Sequence, residues 1–219
     1  MLVLKKHEIL ALAKTLLKNN PVIVEAGAFD GRDTRLLSET WPAATIHAFE
    51  PVPEIYALLQ KNTQDLPNVH TYPVGLSDAT GNALFYVSEK PSKPGKPFQA
   101  GSLLKPKERL KVSDVTYAKT MQVPVITLDD WGKQHGIDHV DFLWLDLQGM
   151  ELNVIKASPK TISTAQAIYT EVEFIEAYEG QYLVDDVIAW MNDHGFQEVA
   201  RDFADQKSWF FGNVLFSKK

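Results

Sequence analysis

The chain of 219 residues contains no cysteine. Disulfides, thiolate nucleophiles and cysteine-held zinc or iron–sulfur centres are therefore excluded. No apolar run approaches the roughly 18 residues that a membrane-spanning helix requires. Positive charge is not in excess: 22 Lys and Arg stand against 28 Asp and Glu, a formal net charge of -6. That balance gives no general affinity for nucleic acid or for an anionic membrane. A G-x-S-x-G elbow is missing, which disfavours an α/β-hydrolase. His135 and His139 are four apart but read as helix-end residues around Gly136, so a zinc site is not expected. The six histidines are scattered: His47 and His70 read as structural, and His135, His139 and His194 as caps at helix ends. What remains is ordinary globular composition, 45% hydrophobic and 23% charged. It suits one domain over residues 1–219, and the lack of cysteine fits a cytoplasmic setting.

Apolar β-rich runs alternate with helical patterns, the signature of a parallel sheet with crossover helices. Residues 1–20 carry Ile9, Leu10, Leu12, Ala13, Leu16 and Leu17 at helical spacing, predicting an amphipathic N-terminal helix rather than a signal peptide. Strands are predicted over 22–26, 45–49, 69–74, 140–145 and 167–172. Shorter ones are expected over 82–87 and 123–128. Helices are predicted over 34–39, 55–61, 131–135, 152–157 and 183–194. Two final strands, 196–203 and 209–216, are close enough for an antiparallel hairpin. Residues 88–102 read SEKPSKPGKPFQAGS, a Pro- and Gly-rich loop that could serve as a lid. The expected fold is thus α/β: a mostly parallel sheet of about seven strands, an antiparallel C-terminal hairpin, and helices on both faces.

The first strand runs into Glu25-Ala-Gly27-Ala-Phe-Asp-Gly31. This is E-x-G-x-x-x-G, not the dinucleotide pattern G-x-G-x-x-G. Its acids, Glu25, Asp30 and Asp33, would repel a pyrophosphate at a helix N-terminus but suit a cationic ligand. Glu50 ends the second strand, 19 positions beyond Gly31. An acid at that place can accept ribose hydroxyls. The pair points to a nucleoside cofactor.

With these pieces the sequence resembles the FkbM family of methyltransferases. The resemblance rests on VEAGAFDG (24–31), HAFEPVPEIYALLQKN (47–62), PVGLSD (73–78), GSL (101–103), VITLDDW (125–131) and DFLWLDLQGMELNVI (141–155), in that order. It implies a class I methyltransferase (Rossmann-like) fold and S-adenosyl-L-methionine as methyl donor. It also implies O-methylation of a sugar or other small molecule. Residue by residue, Glu25, Gly27 and Gly31 would frame the methionine part, Glu50 the ribose, and Ser77 and Asp78 the adenine. The same blocks bring Ala28, Phe29, Pro51, Ser102 and Asp146 to the cofactor.

The family's fourth block usually reads K-I-D-x-E-G-x-E. Here it reads Trp144-Leu-Asp146-Leu-Gln148-Gly-Met-Glu151. Trp144 stands for the usual Lys and Gln148 for the usual Glu, which leaves the catalytic group open. Candidates at the strand ends are Asp146, Gln148, Glu171 and Glu173. Paired acids there could instead hold Mg²⁺, an option the sequence does not favour, and no metal ligand is assigned. Phe174 and Tyr178 are candidates for the acceptor pocket. The expected partner is a small-molecule or glycan acceptor, with neither nucleic acid nor membrane; a homodimer is compatible with the sequence. Two other readings compete. One is a cofactor-binding module that no longer catalyses, suggested by Gln148. The other is an NAD-dependent oxidoreductase, disfavoured by the acidic loop.

Overall fold

The computed structural model describes residues 2–207 and 209–219. Met1 and Ser208, which the expected N-terminal helix and hairpin turn include, lie outside the described residues. In chain order the elements are β1 (Leu2–Val3), α1 (Lys6–Leu16), β2 (Val22–Ala26), α2 (Arg32–Thr40), β3 (Thr45–Phe49), α3 (Pro53–Thr63), β4 (Val69–Tyr72), β5 (Gly75–Leu76) and β6 (Gly81–Glu89). There follow α4 (Arg109–Val112), β7 (Thr116–Ile126), α5 (Leu128–His135), β8 (Phe142–Leu145), α6 (Glu151–Ala157), α7 (Pro159–Thr164), β9 (Ala167–Glu173), α8 (Val184–Asp193), β10 (Phe196–Arg201) and β11 (Phe211–Lys218).

The main sheet runs β4-β3-β2-β8-β9-β11-β10-β1. β11 alone is antiparallel, and it is inserted between β9 and β10, with Phe211 opposite Glu173 and Ser217 opposite Ala167. This is the class I methyltransferase arrangement, mostly parallel with a reversed C-terminal strand. Parallel strands covered on both faces must be apolar throughout, as Phe142-Leu-Trp-Leu145 is. Alternation sends Leu143 and Leu145 to one face, beneath Trp131, Leu152, Ile155, Val187 and Met191 from the helices after β7. It sends Phe142 and Trp144 to the other, against Ile9, Leu10, Ala13, Leu37 and Trp41 of α1 and α2. Among the described residues no helix is long and apolar enough to cross a membrane.

Three expectations need correction. The sheet has eight strands, because Leu2 and Val3 pair with Ala200 and Arg201 instead of starting the N-terminal helix. Too few apolar residues precede Lys5 for sequence periodicity to show this. The hairpin strands are 196–201 and 211–218, and the longer intervening loop starts where Asp202 takes the Asn213 N–H at 2.7 Å. The segments expected near 82–87 and 123–128 extend to β6 and β7. They pair with each other and with β5 in a separate three-stranded sheet.

The Pro-rich stretch divides in two. Its tip is exposed, but Phe98 N–H donates to Ser88 O at 2.7 Å, and Tyr86 and Ser102 exchange backbone bonds of 2.8 and 3.1 Å. Residues 97–102 are thereby laid along β6 as a wall.

Candidate functional site

The turn from β2 into α2 is built on three left-handed residues, Phe29 at φ +46° and Gly27 and Gly31 each at φ +83°. A Cβ on Gly27 would sit 1.9 Å from the Asp146 carbonyl oxygen. Only glycine lets this turn lie against the end of β8. The first loop and Asp146 are thus brought to one spot at the carboxyl rim of the sheet, where open α/β folds bind ligands.

A cavity of about 340 Å³ opens there, within the range of roughly 300–1,000 Å³ typical of small-molecule sites. Of the residues singled out in the sequence, Gly27, Ala28, Phe29, Glu50, Pro51 and Asp146 line it, together with the catalytic candidate Gln148. Glu25 does not: it is buried behind the loop, 1% exposed, with Oε2 lacking a partner. Gly31 shapes the turn without facing the space. Ser77 and Asp78 also stand back, Ser77 Oγ donating to Asp78 Oδ1 at 3.2 Å, while the preceding Gly75 and Leu76 form the wall. Ser102 is a support: its hydroxyl donates to Gln148 O at 2.8 Å and accepts from Leu104 N–H at 2.9 Å. Sequence reasoning missed Lys6, Phe85, Val87, Phe98 and Gln99, which also line the space. They come from α1, β6 and the wall strand, and no spacing rule ties those to a glycine loop.

The fit to S-adenosylmethionine rests on this donor set. Asp30, Asp33, Glu50 and Asp146 face the cavity against Lys6 and Arg32. Arg32 is paired with Asp30 at 3.1 Å and Lys6 with Asp33 at 2.6 Å. The remaining acids suit a ligand carrying an ammonium and a sulfonium. Ile55, Leu76, Phe85, Val87 and Phe98 offer apolar surface for a purine. Glu50 holds its carboxylate in place by accepting the Val52 N–H at 2.8 Å.

A second cavity, about 570 Å³, meets the first. Asp146, Gln148, Lys6, Asp33, Phe98 and Gln99 line both. Gln148 has φ +51°, unusual for a side chain with a Cβ. The reason is visible in its bonds. Its Nε2 donates to Asp146 Oδ1 at 2.7 Å and to Glu171 Oε1 at 2.8 Å, and its Oε1 accepts from Tyr178 OH at 2.9 Å. A glutamate here would add a carboxylate without a donor between two others. The departure from the family block therefore supplies the two N–H groups that hold the acids. Glu171 lines the second cavity; Glu173 lines neither. Carboxylate oxygens of Asp146, Glu151 and Glu171 lie within 4.8 Å of one another. Glu151 already accepts Leu147 N–H at 2.7 Å and Gly149 N–H at 3.0 Å.

The aromatic expectations divide differently. Trp144 and Tyr169, 4.2 Å apart, line the second cavity. Trp144 also packs in the core under α1, which accounts for an apolar residue where the family block has lysine. Phe174 packs on Phe203, and Tyr178 is fully buried; neither lines the acceptor space. His135 and His194 take backbone carbonyls in the last turns of α5 and α8, as expected of caps. His139 instead faces Asp138 and Asp141.

The site concentrates buried acids. Burial pushes Glu25 and Glu50 up to about 8. It raises Glu151 to about 7 and, with the charge of Glu151, Glu173 to about 8. Asp146 and Glu171 are raised as well, by burial first. A carboxyl whose folded pKa lies above its unfolded value binds its proton more tightly in the native state. Its contribution to stability is full below the unfolded pKa, near 4.5, and is lost as pH rises through 7 to 8. The ligand-free protein should therefore melt at progressively lower temperature from pH 6 to 8.5. Each group adds up to about 1.4 kcal/mol per pH unit. Glu25→Gln should flatten the slope. A melting temperature that stays level or climbs over this range refutes the assignment.

Comparison with known proteins agrees with this geometry. The sequence profile of the methyltransferase FkbM domain matches residues 25–198. The chain is 32% identical over 179 residues to the 2-O-methyltransferase NoeI of Sinorhizobium fredii (strain NBRC 101917 / NGR234), covering 81% of this chain and 73% of that one. It is 27% identical over 215 residues to the methyltransferase sdnD of Sordaria araneosa, covering 86% and 78%. The crystal structure of methyltransferase FkbM from Methylobacillus flagellatus KT superposes with a TM-score of 0.60 at 15% identity, covering 98% of this chain and 48% of that chain. The nicotinamide reading falls with these matches. The chain belongs to the FkbM family of S-adenosylmethionine-dependent methyltransferases.

Proposed function

We propose that the protein methylates an alcohol oxygen of a small molecule or sugar, with the donor in the first cavity and the acceptor in the second. The observation that carries this is the junction: Asp146 and Gln148 line both spaces. Glu50 and Pro51 would hold the nucleoside end, and the loop 27–29 with the acidic rim beside Asp146 the cationic methionine end. S-adenosylmethionine, when bound, supplies a methyl group on a sulfonium for in-line displacement. The name of the NoeI relative, a 2-O-methyltransferase, supports oxygen as the accepting atom.

The chain's own residues do the rest. Asp146 takes the hydroxyl proton as the oxygen gains the methyl group. Its raised proton affinity brings it nearer to neutral pH, where a base is most useful. Gln148 fixes the reacting carboxylate through Nε2, and Glu171 shares the same amide. Tyr178 locks the amide orientation, because its hydroxyl reaches Gln148 Oε1 and its donor side must then face the acids. Positioning of two reactants at one junction provides most of the acceleration.

The test is a methyl-transfer assay with S-adenosylmethionine and a panel of hydroxylated acceptors matched to their O-blocked forms. Release of S-adenosylhomocysteine with the free hydroxyl and none with the blocked form is expected. Transfer that persists when every hydroxyl is blocked would overturn oxygen as the acceptor atom.

A further inference from the structure

Arg109 carries an unfilled demand. It opens α4, pinned through its backbone N–H to Ala177 O at 3.1 Å. Its side chain lines the second cavity, yet the residue is only 7% exposed. The guanidinium lies over the Phe210 ring at 4.7 Å, which fixes its plane. Neither Nε nor Nη1 has an acceptor. Unpaired N–H groups on a buried cation are costly. The charge of Arg109 acts on Asp146, Glu171 and Glu173, and Tyr117 stands beside it, yet none of them fills these two N–H groups.

Apart from the exposed Asp114, the acids that line the cavity are already supplied. Asp33 holds Lys6, and Asp202 accepts from Asn213 N and Nδ2 at 2.7 and 2.8 Å. Asp146 and Glu171 share the amide of Gln148. The buried walls thus lack one thing, an acceptor for Arg109. Glu173 does not provide it. Among the described residues the two form no ion pair, and Glu173 lies outside the lining; burial and the charge of Glu151 push its carboxyl up to about 8 against the lowering effect of Arg109. Lys90 adds a second cation to the lining, and Trp144, Tyr169 and Trp209 add flat apolar surface.

We propose that the second cavity takes an acceptor bearing an anionic group, a carboxylate, sulfate or phosphate, which Arg109 clamps while a hydroxyl of the same molecule is presented to Asp146. The inference rests on the second cavity being the acceptor site. It assigns Arg109 the choice among acceptors and leaves the chemistry at Asp146.

Sulfate is the probe. With S-adenosylhomocysteine present and ionic strength held constant with chloride, sulfate should quench tryptophan fluorescence saturably, since Trp144 and Trp209 flank the site. Arg109→Met should weaken sulfate binding at least tenfold with unchanged affinity for S-adenosylhomocysteine. Arg109→Lys, which keeps the charge but not the planar fork, should fall between and keeps the experiment readable if the Met variant does not fold. No saturable response to sulfate in the wild type, or equal binding by wild type and Arg109 variants, overturns the proposal. Failure of S-adenosylhomocysteine to bind the wild type would instead overturn the donor reading, and the sulfate titration would still report on Arg109.

Discussion

Replacing Glu50 by alanine is expected to raise the dissociation constant for S-adenosylhomocysteine by about 100-fold, two charge-assisted hydrogen bonds being worth roughly 3 kcal/mol together. The carboxylate is 5% exposed and lines the first cavity, so few waters compete for it. One oxygen is anchored by the Val52 N–H, which leaves the group oriented before any ligand arrives. Its pH dependence is a second signature. Burial holds the free carboxyl at about 8. Hydroxyl donors and a cationic ligand favour the ionised form, so binding releases a proton. Affinity should therefore rise between pH 6 and 8.5 in the wild type, and Glu50→Gln should flatten that rise. Neither variant should lower the melting temperature of the free protein at pH 8, because each removes a buried acid. Calorimetric titration checks all three, and wild-type affinity in Glu50→Ala would sink the ribose assignment.

Much of this site is legible in the sequence for a physical reason. A parallel sheet places every strand end on one rim, so a glycine turn after β2, an acid after β3 and an acid after β8 must converge. Gly27, Glu50 and Asp146 follow from that rule alone. Glu25 reads as a ligand group because it begins the loop, but strand alternation turns its side chain inward, a consequence that motif spacing hides. The antiparallel final strand is visible as a second apolar run after a short polar gap, though the gap's true ends depend on pairing of Asp202 with Asn213. Lys6 and Arg109 gave no signal. One lies in an amphipathic helix and the other in the charged run KPKERLK, where exposure is the ordinary fate of a basic residue. Their place at the site is decided by tertiary packing, through the Asp33 pair of Lys6 and the Phe210 face under the buried Arg109.

Gln148 shows the same limit in sharper form. Read alone, an amide at a position where the family carries an acid suggests lost catalysis. Its contacts show a donor shared between Asp146 and Glu171, with Tyr178 fixing which end of the amide points at them. If the amide serves to hold a base, the base itself must be indispensable. Asp146→Asn is expected to lower kcat by about 10²–10⁴, the usual worth of a positioned general base. Asparagine is nearly isosteric, so affinity for S-adenosylhomocysteine should change less than tenfold and the melting temperature should hold or rise. Higher pH should not restore the rate, because an amide gains no basicity. Single-turnover methyl transfer from pre-bound S-adenosylmethionine separates the two effects. Loss in the chemical step with binding retained assigns the proton to Asp146. Equal loss in both would make Asp146 a cofactor ligand and move the base to Glu171, the other acid on Gln148 that faces the second cavity.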